Sequence, residues 1–138
     1  MRDNRIIRAI GAEQTVAVRR QVLWPHKPAS FCILDEDQHA YHYGVFIDDE
    51  LVCVASLFAD EHQVRLRKFA TLETFQGQGI GGEMFQYLLM EAKQKGFEGF
   101  WCDARQTAVR FYQKFGLRVV SDTFYKSEVA YVRMQTSF

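Results

Sequence analysis

A chain of 138 residues is long enough to bury one core as a single domain, and a composition 48% hydrophobic and 14% aromatic excludes a disordered chain. Seventeen basic side chains balance seventeen acidic ones, so the overall charge gives no reason to expect a nucleic-acid partner. The apolar runs are only a few residues long, which excludes a helix that spans a membrane.

The neutrality conceals an asymmetry. Residues 1–61 hold six Lys/Arg and ten Asp/Glu, a balance of −4, and residues 62–138 hold eleven and seven, a balance of +4. The basic half suits a phosphate-bearing ligand. The acids gather at Asp35-Glu36-Asp37, Asp48-Asp49-Glu50 and Asp60-Glu61, which read as solvated loop tips. The charged start "MRDNRIIRAI" predicts no secretory signal. Cys32, Cys53 and Cys102 are scattered without metal-ligand spacing, so they read as small buried thiols of a reducing cytoplasm, and no metal is expected.

In chain order, "RIIRAI" (5–10) alternates as a short strand and ends at Gly11. Residues 12–24 read as a helix, with Val18 and Val22 one turn apart and Pro25 closing it. A turn-rich connection leads through a short apolar "FCIL" into the acidic loop. Residues 41–47 and 51–58 flank Asp48-Asp49-Glu50 as a hairpin, and 63–72 follows as the third strand of an antiparallel meander. Within it, Val64 and Leu66 alternate inward but the next large apolar side chain is Phe69. That slip across Arg67-Lys68 is the mark of a β-bulge, although a Lys68 stem lying along the surface would give the same pattern. Ile80, Met84, Leu88 and Ala92 form a helical stripe that stops at Gly96. Residues 97–104 read as a strand, 105–116 as a helix, and "LRVVSD" and "SEVAYVRMQ" as two final strands. The order β-α-β-β-β-α-β-α-β-β predicts a single domain over 1–138, an α/β mixed sheet with helices on its faces.

Between the third strand of the meander and the helical stripe stands "QGQGIGG", in which Gly77, Gly79, Gly81 and Gly82 crowd six positions. A helix N-terminus offers unpaired N–H groups and the positive end of its dipole, and glycine lets a ligand approach the main chain. Together they make a pyrophosphate cradle. A glycine-rich turn can also be a plain connector. Gly77-x-Gly79-x-x-Gly82 with Asp103 about 20 residues on satisfies a dinucleotide fingerprint, but the strands before it do not suit a βαβ unit and only 56 residues follow Gly82. No Gly-Lys-Ser/Thr follows, so the turn is not a Walker-type phosphate loop.

Gln76-x-x-Gly79-x-Gly81 resembles the coenzyme A signature Q/R-x-x-G-x-G/A of the GCN5-related N-acetyltransferases (GNAT), and "ARQTAVRFYQKFGL" (104–117) resembles that family's second motif, A-x-x-F-Y-x-K-x-G-F. The resemblance is specific from about 63 to 120 and rests on element order before that. Stretches such as "LWP" and "WCDAR" are similar to those of small bacterial-type members. The resemblance implies a mostly antiparallel twisted sheet with helices on both faces, the acyl-CoA N-acyltransferase fold. It also implies direct transfer from acetyl-CoA to a primary amine of a small molecule or peptide, with homodimerisation common in the family.

By the same resemblance, main-chain N–H groups of Gln76, Gly77, Gln78, Gly79, Ile80, Gly81 and Gly82 bind the coenzyme A pyrophosphate. Phe69 and Thr71 pair with the pantetheine arm, and the Gln76 side chain can add a donor. Arg110 and Lys114 are candidates for the adenosine phosphates, with solvated charges as the alternative. Tyr112 is the expected catalytic residue, a phenol that protonates the departing sulfur. Some relatives carry a glutamate base on the fourth strand; here Arg65 and Arg67 stand there, which leaves Glu73, Asp103, His42, Tyr43 or a water chain as base. Those arginines suit either an acceptor bearing a carboxylate or phosphate or salt bridges to the acidic loops. Trp24, Phe31, Tyr41 and Tyr43 are candidates to line the acceptor pocket or to pack the core, and Cys102 is a weaker candidate as an acyl carrier. Two alternatives to the enzyme are a non-catalytic coenzyme A-binding module and an NAD-dependent protein.

Overall fold

The computed structural model describes residues 4–138; the expected domain starts at residue 1, so residues 1–3, with the charges of Arg2 and Asp3, lie outside the described residues. Strand β1 (Arg5–Ile10) pairs antiparallel with β2 (Tyr41–Ile47). Between them the helix expected over 12–24 forms as a 3-10 turn, Ala12–Thr15, running into α1 (Val16–Leu23) and ending before Pro25. "FCIL" lies in and between two short 3-10 turns, Ala29–Cys32 and Asp35–His39. Strands β3 (Glu50–Asp60) and β4 (Gln63–Thr71) complete the expected meander.

Helix α2 (Ile80–Gln94) follows the glycine turn and leads into β5 (Gly99–Arg105). The second expected helix is shorter than 105–116: a 3-10 turn, Gln106–Ala108, precedes α3 (Val109–Gln113). "LRVVSD" yields only β6 (Arg118–Val119), and the last segment is a hairpin of β7 (Phe124–Lys126) and β8 (Val129–Ser137), whose turn holds Ser127 at φ +57°. The sequence reading passed over β7 because three residues cannot establish a period of two.

The sheet runs in the order β1-β2-β3-β4-β5-β8-β6, with β7 also on β8. Every pairing is antiparallel except β4 with β5, which α2 connects as a crossover. Alternation along β2 sends neighbouring side chains to opposite faces: His42 points to the network under α1, and Tyr43 donates to Glu91 of α2. Ile80, Met84, Phe85, Leu88 and Ala92 are the buried stripe of α2, and they pack on Val45, Val54, Val64, Phe100 and Met134 of the sheet in one core. A fully buried Phe or Leu of this kind contributes about 1.5–3 kcal/mol.

Candidate active site

The expected bulge is present. Val54 pairs with Ala70 and Ser56 with Arg67, so Ala55 alone stands opposite Lys68 and Phe69. Lys68 carries the irregularity at φ +57°, a conformation uncommon for a residue with a side chain. On its other edge β4 pairs with β5 only from Gln63–Arg65 to Gly99–Trp101. Beyond Trp101, β5 continues against β8, with Asp103 opposite Arg133 and Arg105 opposite Tyr131, while β4 stays with β3. The two strands therefore part, and a cleft of about 700 Å³ opens between them.

At one end of the cleft is the glycine turn. Gly77 and Gly79 sit at φ +77° and +82°, and a Cβ built on either would meet nothing within 4 Å. Glu83 N–H makes the first bond of α2, to the Gly79 carbonyl, so the N–H groups of Ile80, Gly81 and Gly82 lack intrahelical acceptors. A cradle of bare, left-handed backbone at the start of a 15-residue helix fits a pyrophosphate. Buried Ile80 anchors it from below, and Arg5 ties it to β1 through the Gln78 carbonyl (3.1 Å) and Glu83 (2.9 Å). The Gln76 side chain is partly committed: one amide N–H donates to the Thr71 carbonyl at 2.9 Å. Phe69, Thr71, Gln76 and Gly81 all line the cleft, and Gly81 leaves room beside the Phe69 ring, 3.7 Å from where a Cβ would stand.

Tyr112 lines the middle of the cleft with Phe111 and Ala108. Its ring packs edge-on against Phe85 and Phe111 at 5.3 and 5.1 Å between centroids, which fixes the phenol on the wall. Burial, with the Cys102 sulfur adding in the same direction, pushes its pKa well above the ordinary tyrosine value, so the hydroxyl keeps its proton at any physiological pH.

At the far end stand Trp24 from the segment after α1, Arg65, Arg67 and Lys68 of β4, Asp103 and Arg105 of β5, Lys126 of β7 and Tyr131 of β8. Lys68 Nζ lies over the Trp24 ring at 4.6 Å. Burial, then the charges of Arg67, Lys126, Arg19 and Arg65, lower its pKa to about 8. The sequence reading missed Lys68 and Lys126 as site residues; the slip at Arg67-Lys68 was the signal for the first, and nothing local marked the second.

The expected bases fare differently. Burial alone would raise Asp103, but the Arg133 hydrogen bond and the charges of Arg133, Lys126 and Arg65 hold it below the usual carboxylate range. It lies 3.0 Å from Arg133 and 3.1 Å from Arg65, an ion-pair centre poorly suited to take a proton. His42 is 5% accessible, with both ring nitrogens bound, to Ser56 at 2.7 Å and to the Asp37 carbonyl at 2.8 Å. Tyr43 is buried and donates to Glu91 on the α2 face, and Glu73 is exposed in a 3-10 turn; neither lines the cleft. Of the four aromatics, Trp24 alone lines it. Phe31 packs on Trp24 from outside, 48% exposed, and Tyr41 packs on Phe97. Arg110 on α3 and Lys114 just after it are exposed, outside the cleft lining. Among the described residues no group of three His, Cys, Asp or Glu is placed to hold a metal.

Residues 13–138 match the family described as the acetyltransferase (GNAT) domain. This chain belongs to the GNAT family. As a GNAT protein it is an acyltransferase, and the mixed, mostly antiparallel sheet is the acyl-CoA N-acyltransferase fold. It is 29% identical over 127 residues to the uncharacterized N-acetyltransferase YitI of Bacillus subtilis, covering 86% of this chain and 85% of that protein. In structure it is similar to a GNAT family acetyltransferase from Elizabethkingia anophelis with acetyl-CoA bound (TM-score 0.78, 18% identity, 99% of this chain and 100% of that one). It is also similar to the ribosomal-protein-S18-alanine N-acetyltransferase from Escherichia coli (TM-score 0.83, 12% identity, 97% and 94%). At these identities the likeness carries the fold. The dinucleotide alternative retains one parallel strand pair three residues long and an Asp103 already held by three cations.

Proposed function

We propose that residues 1–138 form one N-acetyltransferase domain that moves an acetyl group from acetyl-CoA directly to a primary amine of a small molecule or peptide. The observation that carries this reading is the continuity of the cleft, which joins Gln76 and Gly81 of the glycine turn, Tyr112, and the cations Arg67 and Lys126 in one lining; Gly77, Gln78, Gly79, Ile80 and Gly82 stand outside that lining. A binding module with a closed acceptor pocket would lack the space beyond Tyr112.

In this reading the N–H groups from Gly77 to Gly82 hold the pyrophosphate, since the Gln76 N–H is already given to the Glu73 carbonyl at 3.2 Å, and the bulged stretch Phe69–Thr71 lies along the pantetheine arm. Bound acetyl-CoA supplies a thioester: a C–N bond forms to the amine, the C–S bond breaks, and coenzyme A thiol and the ammonium proton are released. The Tyr112 hydroxyl donates a hydrogen bond to the sulfur as negative charge gathers there. Because its pKa lies above that of an ordinary thiol near 8.5, it acts as a fixed donor more than as a full proton source. The three free, buried cysteines suit a reducing cytoplasm.

The test is a thermal-shift titration with acetyl-CoA, coenzyme A and NADH in parallel. A ligand that binds only the folded state adds about 2.7 kcal/mol at a hundred times its dissociation constant, a shift of a few degrees for this length. Stabilisation by the two coenzyme A species and not by NADH is the expected result. Stabilisation by NADH alone would overturn the reading.

A further inference from the structure

The acceptor end of the cleft has an uneven charge. Arg65, Arg67, Lys68, Arg105 and Lys126 line it, and Asp103 is the one carboxylate among its lining residues. That carboxylate is already shared: Arg65 at 3.1 Å, Lys126 at 3.5 Å and, from outside the lining, Arg133 at 3.0 Å. Among the described residues Arg67 has one ion-pair partner, the exposed Glu36 at 3.9 Å, and its guanidinium rests over Phe58. The buried Arg65 Nε has no acceptor among the described residues, and neither Lys68 nor Arg105 has a carboxylate in ion-pair range there.

Aromatic faces hold the cations in place without neutralising them. Lys68 lies over Trp24, Arg65 over Trp101 and Lys126 over Tyr131, at 4.6, 4.6 and 4.8 Å. This end is also distant from the expected pyrophosphate site. Arg67 and Arg65 precede Thr71 by four and six residues along β4, and the glycine turn lies further on.

We propose that the acceptor is an amine that also carries an oxyanion, a carboxylate or a phosphate, seated by Arg67, Arg65 and Lys126 at the end of the cleft beyond Tyr112. This rests on the N-acetyltransferase reading and supplies its substrate class. A guanidinium presents paired N–H donors that match such a group. A purely cationic acceptor, such as a polyamine or a lysine-rich tail, meets the repulsion from Arg67, Lys126 and Arg65 that adds to burial in lowering the Lys68 pKa. That field also eases loss of the proton from the acceptor ammonium, so that an attacking amine does not require a carboxylate base.

The experiment compares paired acceptors in acetyl-CoA turnover, followed by thiol release. The pairs are L-alanine with L-alaninamide, and O-phosphoethanolamine with ethanolamine, with spermidine as the cationic probe. We expect kcat/KM to favour at least one anionic member by about tenfold or more, and the pair that responds distinguishes carboxylate from phosphate. Arg67→Met, with Lys126→Met as a second variant should the first fold poorly, should collapse that ratio towards one, chiefly through KM. Preference for spermidine or for the uncharged partners, or a ratio unmoved in both folded variants, overturns the proposal. If no probe turns over, calorimetric titration of the same anionic amines at millimolar concentration into the coenzyme A-loaded protein decides it: binding weakened by Arg67→Met supports the seat, and no binding overturns it. Failure of the N-acetyltransferase reading itself would appear separately, as absence of acetyl-CoA binding before any amine is added.

Discussion

Arg19 and Asp37 close a bidentate ion pair beneath the acceptor side of the cleft, with N–O distances of 2.6 and 3.1 Å and exposures of 0 and 3%. Arg19 also donates to the Cys32 carbonyl and to Ser56 Oγ, each at 3.0 Å. In the neutral ring Ser56 then donates to His42 Nδ1, because Nε2 carries the proton it gives to the Asp37 carbonyl. The network joins α1 and both turns of 29–39 to β2 and β3, and Ser56 is the ladder partner of Arg67 at the edge of the bulge. The chain that lines the acceptor end is thereby fixed to the sheet.

Removing one partner leaves the other charge buried, so Asp37→Asn or Arg19→Met should lower unfolding stability by about 3–5 kcal/mol. Urea unfolding reads this directly, and a loss below 1 kcal/mol would refute the network's role. The pair also sets an acid limit. Burial alone would raise Asp37, but the Arg19 and Leu34 hydrogen bonds and the Arg19 charge hold it below its ordinary value. A carboxyl with a lowered folded pKa stabilises fully above about pH 3.9 and ceases to do so as pH falls through the folded value. The urea midpoint should therefore drop on acidification below pH 4, less steeply in Asp37→Asn.

Some of this was legible in the sequence and some was not, for physical reasons. The bulge could be read because a backbone slip displaces every later side chain by one face, so that Phe69, not Lys68, continues the inward row of Val64 and Leu66. The open turn before α2 could be read because four glycines crowded before an apolar stripe allow the left-handed conformations that Gly77 and Gly79 adopt. Asp37 could not, since one acid among three looks like a solvated tip until a residue 18 positions away buries it. Nor could the roles of Tyr41 and Tyr43, two positions apart on the same face of β2, of which the first is exposed at the strand's end against Phe97 and the second is buried against Glu91 of α2. The opening of the cleft depends on β4 parting from β5 after Arg65 and Trp101 while β5 stays paired with β8 along its whole length, a choice made between strands far apart in the chain.

Lys68 should make the protein more stable when its charge is removed. Its folded pKa of about 8 lies below the unfolded value of about 10.4, so between these values the unfolded chain binds more protons and stability rises with pH. Below pH 8 the penalty of holding the charged form is fully present. Lys68→Met keeps the backbone strain and removes that penalty, so at pH 7 it should stabilise by on the order of 1 kcal/mol, less than the shift implies because the ammonium is partly solvated. Thermal melts from pH 7 to 10.5 check both parts: the variant's advantage should shrink with rising pH.

Gly79→Ala and Gly96→Ala form a matched pair. Both glycines have positive φ, +82° and +87°, and a Cβ at either meets nothing within 4 Å, so each substitution costs strain of about 1 kcal/mol without a clash. Gly96 ends α2 on the side away from the turn. Thermal melts should show a similar loss of a few degrees in both. Acetyl-CoA affinity measured by calorimetry should fall in Gly79→Ala alone, and an equal fall in both would count against the cradle.

Cys102 lines the cleft but is a poor acyl carrier. Burial first and the Asp103 charge second push its thiol up to about 12, and nucleophilic attack needs the thiolate. Cys102→Ala should keep turnover within a few-fold of the parent. Mass spectrometry of the parent mixed with acetyl-CoA should show no acetyl group on this residue. A stoichiometric acetyl adduct on Cys102 that forms and decays at the turnover rate would replace direct transfer with a two-step path.

Tyr112→Phe isolates the hydroxyl from the ring. The ring contacts with Phe85 and Phe111 survive the change, so melting should move by less than about 0.5 kcal/mol equivalent. The sulfur, however, loses its donor at the moment charge develops, and kcat should fall about a hundredfold while acetyl-CoA affinity is kept. Because burial holds the phenol protonated, Tyr112 should add no alkaline limb to the kcat profile up to pH 10. A limb near neutrality that disappears in Tyr112→Phe would mean that the phenol ionises in the working enzyme, and its role would then be that of a base. Unchanged kcat in the folded variant would place the donor elsewhere on the cleft wall.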